Sequence, residues 1–239
     1  SGRPPNVTMV EGMFRVDAEL LGTQDCRYGV QLTVRDERGT QLKREQWQGQ
    51  CPETEGTPAP ALETFQFQVV PATYTVEVDV YPQARPEQKR SRTITVRGLQ
   101  AEPLASDLIL ARAVGFTDNT DAGSWTLRRG TIGLQATSQM IVTTEQPKLS
   151  YYLELYPESG EPMTGTVAGV VRRPDGHELA RFNLQQVSSL AEPRPVAGSV
   201  SVANLPPGAY MFETQLTLAD TVIVRSHPFY VASLDQSGA

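Results

Sequence analysis

The sequence predicts an all-β protein made of two tandem antiparallel β-sandwiches of immunoglobulin-like or fibronectin-like type. Apolar and polar residues alternate with period two in short runs, turn residues close those runs, and the second half of the chain repeats the order of the first. At 239 residues the chain exceeds a typical single domain and is short for three. Hydrophobic residues make up 39% of it and charged residues 20%, a balance that suits a buried core.

Phe14-Arg15-Val16-Asp17-Ala18-Glu19-Leu20 alternates without a break and is expected to form one strand. Val30–Val34, Phe65–Val69 and Tyr74–Val80 read the same way, as do Tyr151–Tyr156, Val167–Val171, Tyr210–Leu218 and Val222–Val224. Pro82, Pro157 and Pro228 are expected at strand margins, where a missing N–H costs least. Ala105–Val114 has the composition of a short helix capped by Ser106 or Asp107. The strand reading is preferred, with Leu108, Leu110 and Arg112 on one face, because so short an isolated helix needs strong packing to persist. Asp17, Glu19, Glu77 and Asp79 alternate with apolar residues and are expected to face solvent. Gln48–Ala61 reads as a protruding loop and Arg85–Arg92 as a basic hairpin tip. Gly115–Gly130 is the longest stretch without a strand pattern, a long loop.

The halves align. Val30–Leu42 matches Val167–Leu179 at an offset of 137, with Val30, Val34, Arg35, Gly39 and Leu42 facing identical residues. Each copy is a strand, a glycine turn and a strand, and Asp175-Gly176 is a strong hairpin signal because glycine supplies positive φ. Val70–Glu77 lies over Pro206–Glu213 at an offset of 136, Phe14–Ala18 over Tyr151–Leu155 at 137, and Ser91 and Val96 over Ser226 and Val231 at 135. Two modules follow, residues 1–98 and 99–239, joined near residues 97–105. Proline and glycine turn the chain before Tyr74 and Tyr210, whose equivalent positions favour a core or corner role over ligand stacking.

On these residues the chain resembles the tandem β-sandwich region that follows the catalytic-looking domain in bacterial proteins of the GWxTD family. The resemblance is carried by Phe14–Leu21, the Val30–Leu42 hairpin, Tyr74–Val80, Ser106–Ala111, Tyr151–Tyr156 and Leu205-Pro206-Pro207-Gly208-Ala209-Tyr210. The naming motif is absent, since Gly123-Ser124-Trp125-Thr126 is not Gly-Trp-x-Thr-Asp. The resemblance implies exported bacterial sandwiches.

Little in the sequence points to chemistry. The two histidines, His177 beside a turn and His227 before Pro228, have no nucleophile motif near them, and no phosphate loop, dinucleotide fingerprint or calcium loop occurs. No cofactor or metal is expected, and no enzyme activity. A net charge of −6 disfavours nucleic acid and anionic lipid as partners. No apolar run approaches the length of a membrane span, and the Pro-containing start has the character of a tether after a removed N-terminal anchor. Cys26 and Cys51 are candidates for one disulfide, worth about 3 kcal/mol by chain entropy, or for two free thiols.

The expectation is a non-catalytic structural or interaction protein, periplasmic or extracellular. In its concrete form it is an extrinsic subunit bracing other protein subunits of a membrane complex, a photosynthetic complex being one example. Phe116, Trp125, Arg128, Arg129 and Trp47 are the candidate partner-binding residues, since Trp and Arg are enriched at hot spots. The alternative is a carbohydrate-binding module, with Trp47, Trp125, Tyr151 and Tyr152 as an exposed aromatic row.

Overall fold

The structure, a computed structural model, describes residues 7–22, 26–54, 56–98, 105–117, 125–157, 162–190, 192–219 and 221–233. It divides into two compact units, Ser1–Glu102 and Pro103–Ala239. The expected joint near 97–105 lies largely outside the described residues, as do the chain start and the middle of the 115–130 loop.

The first unit consists of β1 (Thr8–Val16), α1 (Ala18–Leu21), β2 (Arg27–Asp36), β3 (Gln41–Gln50), β4 (Glu53–Thr54), β5 (Thr57–Pro58), β6 (Ala61–Val69), β7 (Thr73–Pro82) and β8 (Arg90–Arg97). An antiparallel sheet of order β3-β2-β7-β8 faces the pair β1-β6, and β4-β5 is a small separate hairpin. Alternation decides what goes inside: Val30, Leu32, Val34, Tyr74, Val76 and Val78 meet Val16, Phe65, Phe67 and Val69 in one core.

The expected strand Phe14–Leu20 stops at Val16, and Ala18–Leu21 is helical instead. Gly22 takes a left-handed conformation at φ 60° and donates its N–H to the Ala18 and Glu19 carbonyls, closing the turn. Ala18 and Leu21, three apart, then both reach the core, a spacing that period-two reading misses. Cys51 is also not part of a protruding loop. It is buried and bonded to Cys26, with Cα atoms 5.4 Å apart, and its N–H donates to the Cys26 carbonyl.

The second unit consists of β9 (Ile109–Phe116), β10 (Leu127–Arg129), β11 (Ile132–Ala136), β12 (Ile141–Thr143), β13 (Lys148–Leu155), β14 (Met163–Arg172), β15 (Glu178–Leu190), β16 (Arg194–Ser201), β17 (Gly208–Thr217) and β18 (Val222–Ala232). Sheets of order β10-β11-β9-β13-β16 and β12-β18-β17-β14-β15 face each other, antiparallel except where β12 joins β18. Leu110, Leu149, Leu153 and Val196 from one sheet meet Val167, Val171, Phe212 and Phe229 from the other. Arg225 ties the layers, its guanidinium donating to the Ala105 and Ser106 carbonyls at 3.0 and 3.1 Å. Ala105–Val114 contains strand, not helix. Leu108 and Leu110 are buried as expected of one face, but Arg112 is exposed. The 115–130 stretch is not free of strands either, because β9 runs to Phe116 and β10 begins at Leu127.

The duplication reappears as pairing. β2 lies between β3 and β7, and β14 lies between β15 and β17; Val34 pairs Val76 and Lys43 where Val171 pairs Phe212 and Ala180. The turns match bond for bond: Gly39 and Gly176 have φ of 79° and 88°, and each donates 2.9 Å to the carbonyl three residues back. Likewise β1-β6 corresponds to β13-β16, with Val16 opposite Ala61 and Leu153 opposite Val196.

The offset at the last strand is corrected by the register. Tyr74 pairs Val96 but Tyr210 pairs Phe229, so Val96 corresponds to Phe229, two residues short of Val231. A slip of two keeps every side chain on its face, which is why sequence comparison tolerated it. Both corner tyrosines bond four residues back, Tyr74 to the Val70 carbonyl at 2.9 Å and Tyr210 to the Pro206 carbonyl at 2.7 Å. This is the corner geometry that ties a loop to the start of a strand.

Pro228 lies inside β18, not at its margin. Its neighbour two along, Tyr230, donates its N–H to Met140 on the β12 side. By alternation the N–H that Pro228 lacks would also face that side, before β12 begins to pair, so no ladder bond to β17 is lost.

Candidate interaction surfaces

The residues nominated from sequence have different fates. Phe116, at the end of β9, is 68% exposed. Trp125 instead lies over the facing pair Gly115 and Gly133 of β9 and β11: a Cβ at Gly133 would collide with the indole, and one at Gly115 would sit 3.1 Å from it. The two glycines form a seat for the ring, so Trp125 covers its own unit. Arg128 and Arg129 sit on β10 beside it, with Arg129 donating to the Arg128 carbonyl at 3.1 Å.

Trp47 on β3 is half-buried against the first core. Its indole N–H donates to one Glu63 carboxylate oxygen at 2.9 Å, and the Tyr28 hydroxyl donates to the other at 2.5 Å. Burial, and then the bond to Glu63, pushes the Tyr28 phenol up, so it stays a donor throughout the working pH range. Tyr151 and Tyr152 are buried rather than exposed, and Tyr152 donates to Glu154 at 2.6 Å. They therefore offer no aromatic row for a sugar. His177 is exposed beside its turn, and His227, half-buried within β18, is bonded through Nδ1 to the Pro228 carbonyl.

Asp79 departs from the expected solvent face. It is buried on the outer side of β7, where Lys89 and Ser91 fold over it at 2.8 and 2.5 Å. Burial alone would raise its carboxyl, but the hydrogen bonds from Lys89 and Ser91, with the Lys89 and Arg44 charges, hold it below the usual carboxylate range. A depressed native pKa contributes stability above the unfolded value that is lost as pH falls through the folded one. Urea unfolding should therefore show Asp79→Asn clearly less stable than wild type at neutral pH, with the gap closing on acidification. A gap independent of pH would remove the charge from the account.

The surface that sequence reading did not identify lies on β18. Even-numbered residues of this strand face outward, giving Val222, Val224, Ser226, Pro228 and Tyr230 in a row without a charge. Register sets Ile141 of β12 and Ala209 of β17 beside Tyr230, and Met211 beside Pro228. Val222 is 59% exposed, and Val224, Tyr230 and Ile141 are exposed as well. β12 pairs only with Tyr230–Ala232, so among the described residues the edge of β18 before Phe229 pairs with no strand. Sequence could not assign this face, because Val222-Ile223-Val224 is apolar at every position.

Among the described residues no group of three or more His, Cys, Asp and Glu is placed to hold a metal, and no helix is long and apolar enough to cross a membrane. No protein-family model matches the sequence, and no curated protein matches it as a relative. Among solved structures the chain is similar to a protein of Corynebacterium diphtheriae described as membrane-anchored, at 14% identity over 95% of this chain and 59% of that one, with a TM-score of 0.26. The chain thus spans less than two thirds of that protein, and a fit so loose bears on neither fold nor function.

Proposed function

We propose that this protein is a non-catalytic interaction scaffold, an exported bacterial protein that acts as an extrinsic subunit bracing a larger complex at a membrane surface. The observation that carries this reading is the uncharged outer stripe of β18 with Ile141 beside it. Contiguous exposed apolar surface is uncommon on monomeric proteins and marks contact sites. Here it adjoins a strand edge that, among the described residues, pairs with no strand before Phe229, so side-chain and backbone groups can engage a partner together. The resemblance to exported tandem sandwiches agrees with this placement.

The test is the double substitution Val222→Lys with Val224→Lys. Both side chains point to solvent, so the melting temperature should stay close to that of the wild type, while co-purification with other subunits from the membranes of the native host is lost. Retained co-purification would sink the reading for this face.

A further inference from the structure

The last strands of the two units carry different charge. Register sets them side by side: Val96 corresponds to Phe229, so Arg90 stands where the second unit has Ile223, Arg92 where it has Arg225, and Arg97 where it has Tyr230. Ile223 packs against the second core, and the Arg225 guanidinium is used on the Ala105 and Ser106 carbonyls. Arg90, Arg92 and Arg97 are instead exposed, and among the described residues none of them has a hydrogen bond or an ion pair. The second unit builds the same strand with one arginine at these three places and puts that one to structural use. The fold therefore does not call for the three on β8.

The charge is also concentrated. Residues 83–97 hold Arg85, Lys89, Arg90, Arg92 and Arg97 against Glu87, a local charge of +4 on a chain of −6, which leaves −10 for the rest. Lys89 is taken by Asp79, and the Arg85 guanidinium rests on the Gly22 carbonyl. β8 ends its sheet beyond β7, and every residue from Arg90 to Thr95 is exposed. Alternation puts Arg90, Arg92 and Ile94 on one side of the strand and Thr93, Thr95 and Arg97 on the other. The net charge of the whole chain disfavours anionic partners, but exposed charges are screened beyond about 10 Å at 0.1 M salt. A surface that meets β8 responds to this strand and not to the chain average.

We infer that β8 is a contact for anionic lipid headgroups, with the Arg90, Arg92 and Arg97 guanidinium groups on phosphates and Ile94 touching the interface. What the strand lacks selects this partner over an acidic protein. Protein interfaces are anchored by aromatic or large apolar side chains in a desolvated centre. Residues 83–97 contain no aromatic side chain, and Ile94 is their one exposed large hydrophobic. A headgroup layer needs no such anchor, because each basic side chain near it adds its own attraction and guanidinium matches phosphate in shape as well as charge. This inference rests on the reading of a scaffold at a membrane surface and deepens it by naming what the first unit touches there. Vesicle binding needs no partner subunit, so its failure is distinguishable from failed co-purification through β18.

The full chain is sedimented with vesicles of equal parts phosphatidylglycerol and phosphatidylcholine, and with vesicles of phosphatidylcholine alone. Binding to the first is expected, falling as sodium chloride is raised, with binding to the second at least tenfold weaker. Arg90→Glu with Arg92→Glu should weaken binding to the anionic vesicles at least tenfold, while Arg90→Lys with Arg92→Lys, which keeps the charge, should retain most of it. Thr93→Glu places a negative charge between the arginines at an exposed position and should weaken binding by a second route. Equal binding to both vesicle types, no binding to the anionic ones, or indifference to both Thr93→Glu and the double glutamate variant would overturn the proposal. So would displacement by inorganic phosphate at the phosphate concentration of the lipid, which would make this a site for the free anion. Tighter binding to polyglutamate than to the vesicles, lost in the same variants, would assign the strand to an acidic protein and overturn it too. A first unit markedly destabilised by Arg90→Gln with Arg92→Gln would show that carboxylates of this chain hold the two arginines, with the same consequence.

Discussion

Phe212→Ala is expected to destabilise the second unit by about 3–5 kcal/mol, the cost of emptying a large, fully buried aromatic site. Phe212 is wholly inaccessible, its ring lies 6.0 Å from that of Tyr151, and its tip reaches Gly169 on the neighbouring strand. Comparing the copies explains the arrangement. Phe212 stands where the first unit has Val76, and Gly169 where it has Leu32. One copy fills the diagonal with two medium side chains and the other with one large side chain and none. A Cβ at Gly169 would lie 2.8 Å from the Phe212 ring, so Gly169→Leu should overpack the site by roughly 1–3 kcal/mol. Phe212→Val alone leaves a void. The double substitution restores the first unit's pair and should recover part of both losses, a coupling of roughly 0.5–3 kcal/mol by urea denaturation. Strict additivity would show that the two sites do not share one space.

Removing the disulfide with Cys26→Ala and Cys51→Ala is expected to cost the first unit about 3 kcal/mol through loss of loop closure. The bond closes a span of 25 residues of sequence that contains all of β2 and β3. For a domain near this size each kcal/mol lowers the melting temperature by about 4 °C or more, so a fall of roughly 12 °C is expected. Calorimetry should show the transition of the first unit moving and that of the second unchanged, since both cysteines lie in the first. Reduction with dithiothreitol should reproduce the shift in the wild type and do nothing further to the double alanine variant. If the melting profile is the same with and without the bond, the cross-link contributes no stability.

Much of the architecture was legible because strands write their geometry locally. The alternation in Val30–Val34 and Tyr74–Val80 specifies a strand and one inward face without knowledge of the rest of the chain. The glycines at 39 and 176 announce hairpins for an equally local reason, the positive φ each adopts. Where the signal was short or ambiguous, reading failed. Residues 17–20 alternate for only a few positions, too few to separate a strand from one turn of helix, and Gly22 decided the matter. The candidate sites were less legible. Trp125 and Phe116 are both aromatic residues in the 115–130 stretch, yet paired glycines seat the first while the second stays outside.

What the sequence by itself determined is the all-β content, the positions of most strands and turns, and the duplication that orders them. These depend on side chains a few residues apart. The tertiary structure alone decided that Asp79 is covered, which residues of β18 form its uncharged outward row, and that β13 is flanked by β9. Each of those depends on a strand brought alongside from elsewhere in the chain, as β9 is brought to β13 from some forty residues away. Burial at an edge is set by that neighbour, whose presence no local pattern records.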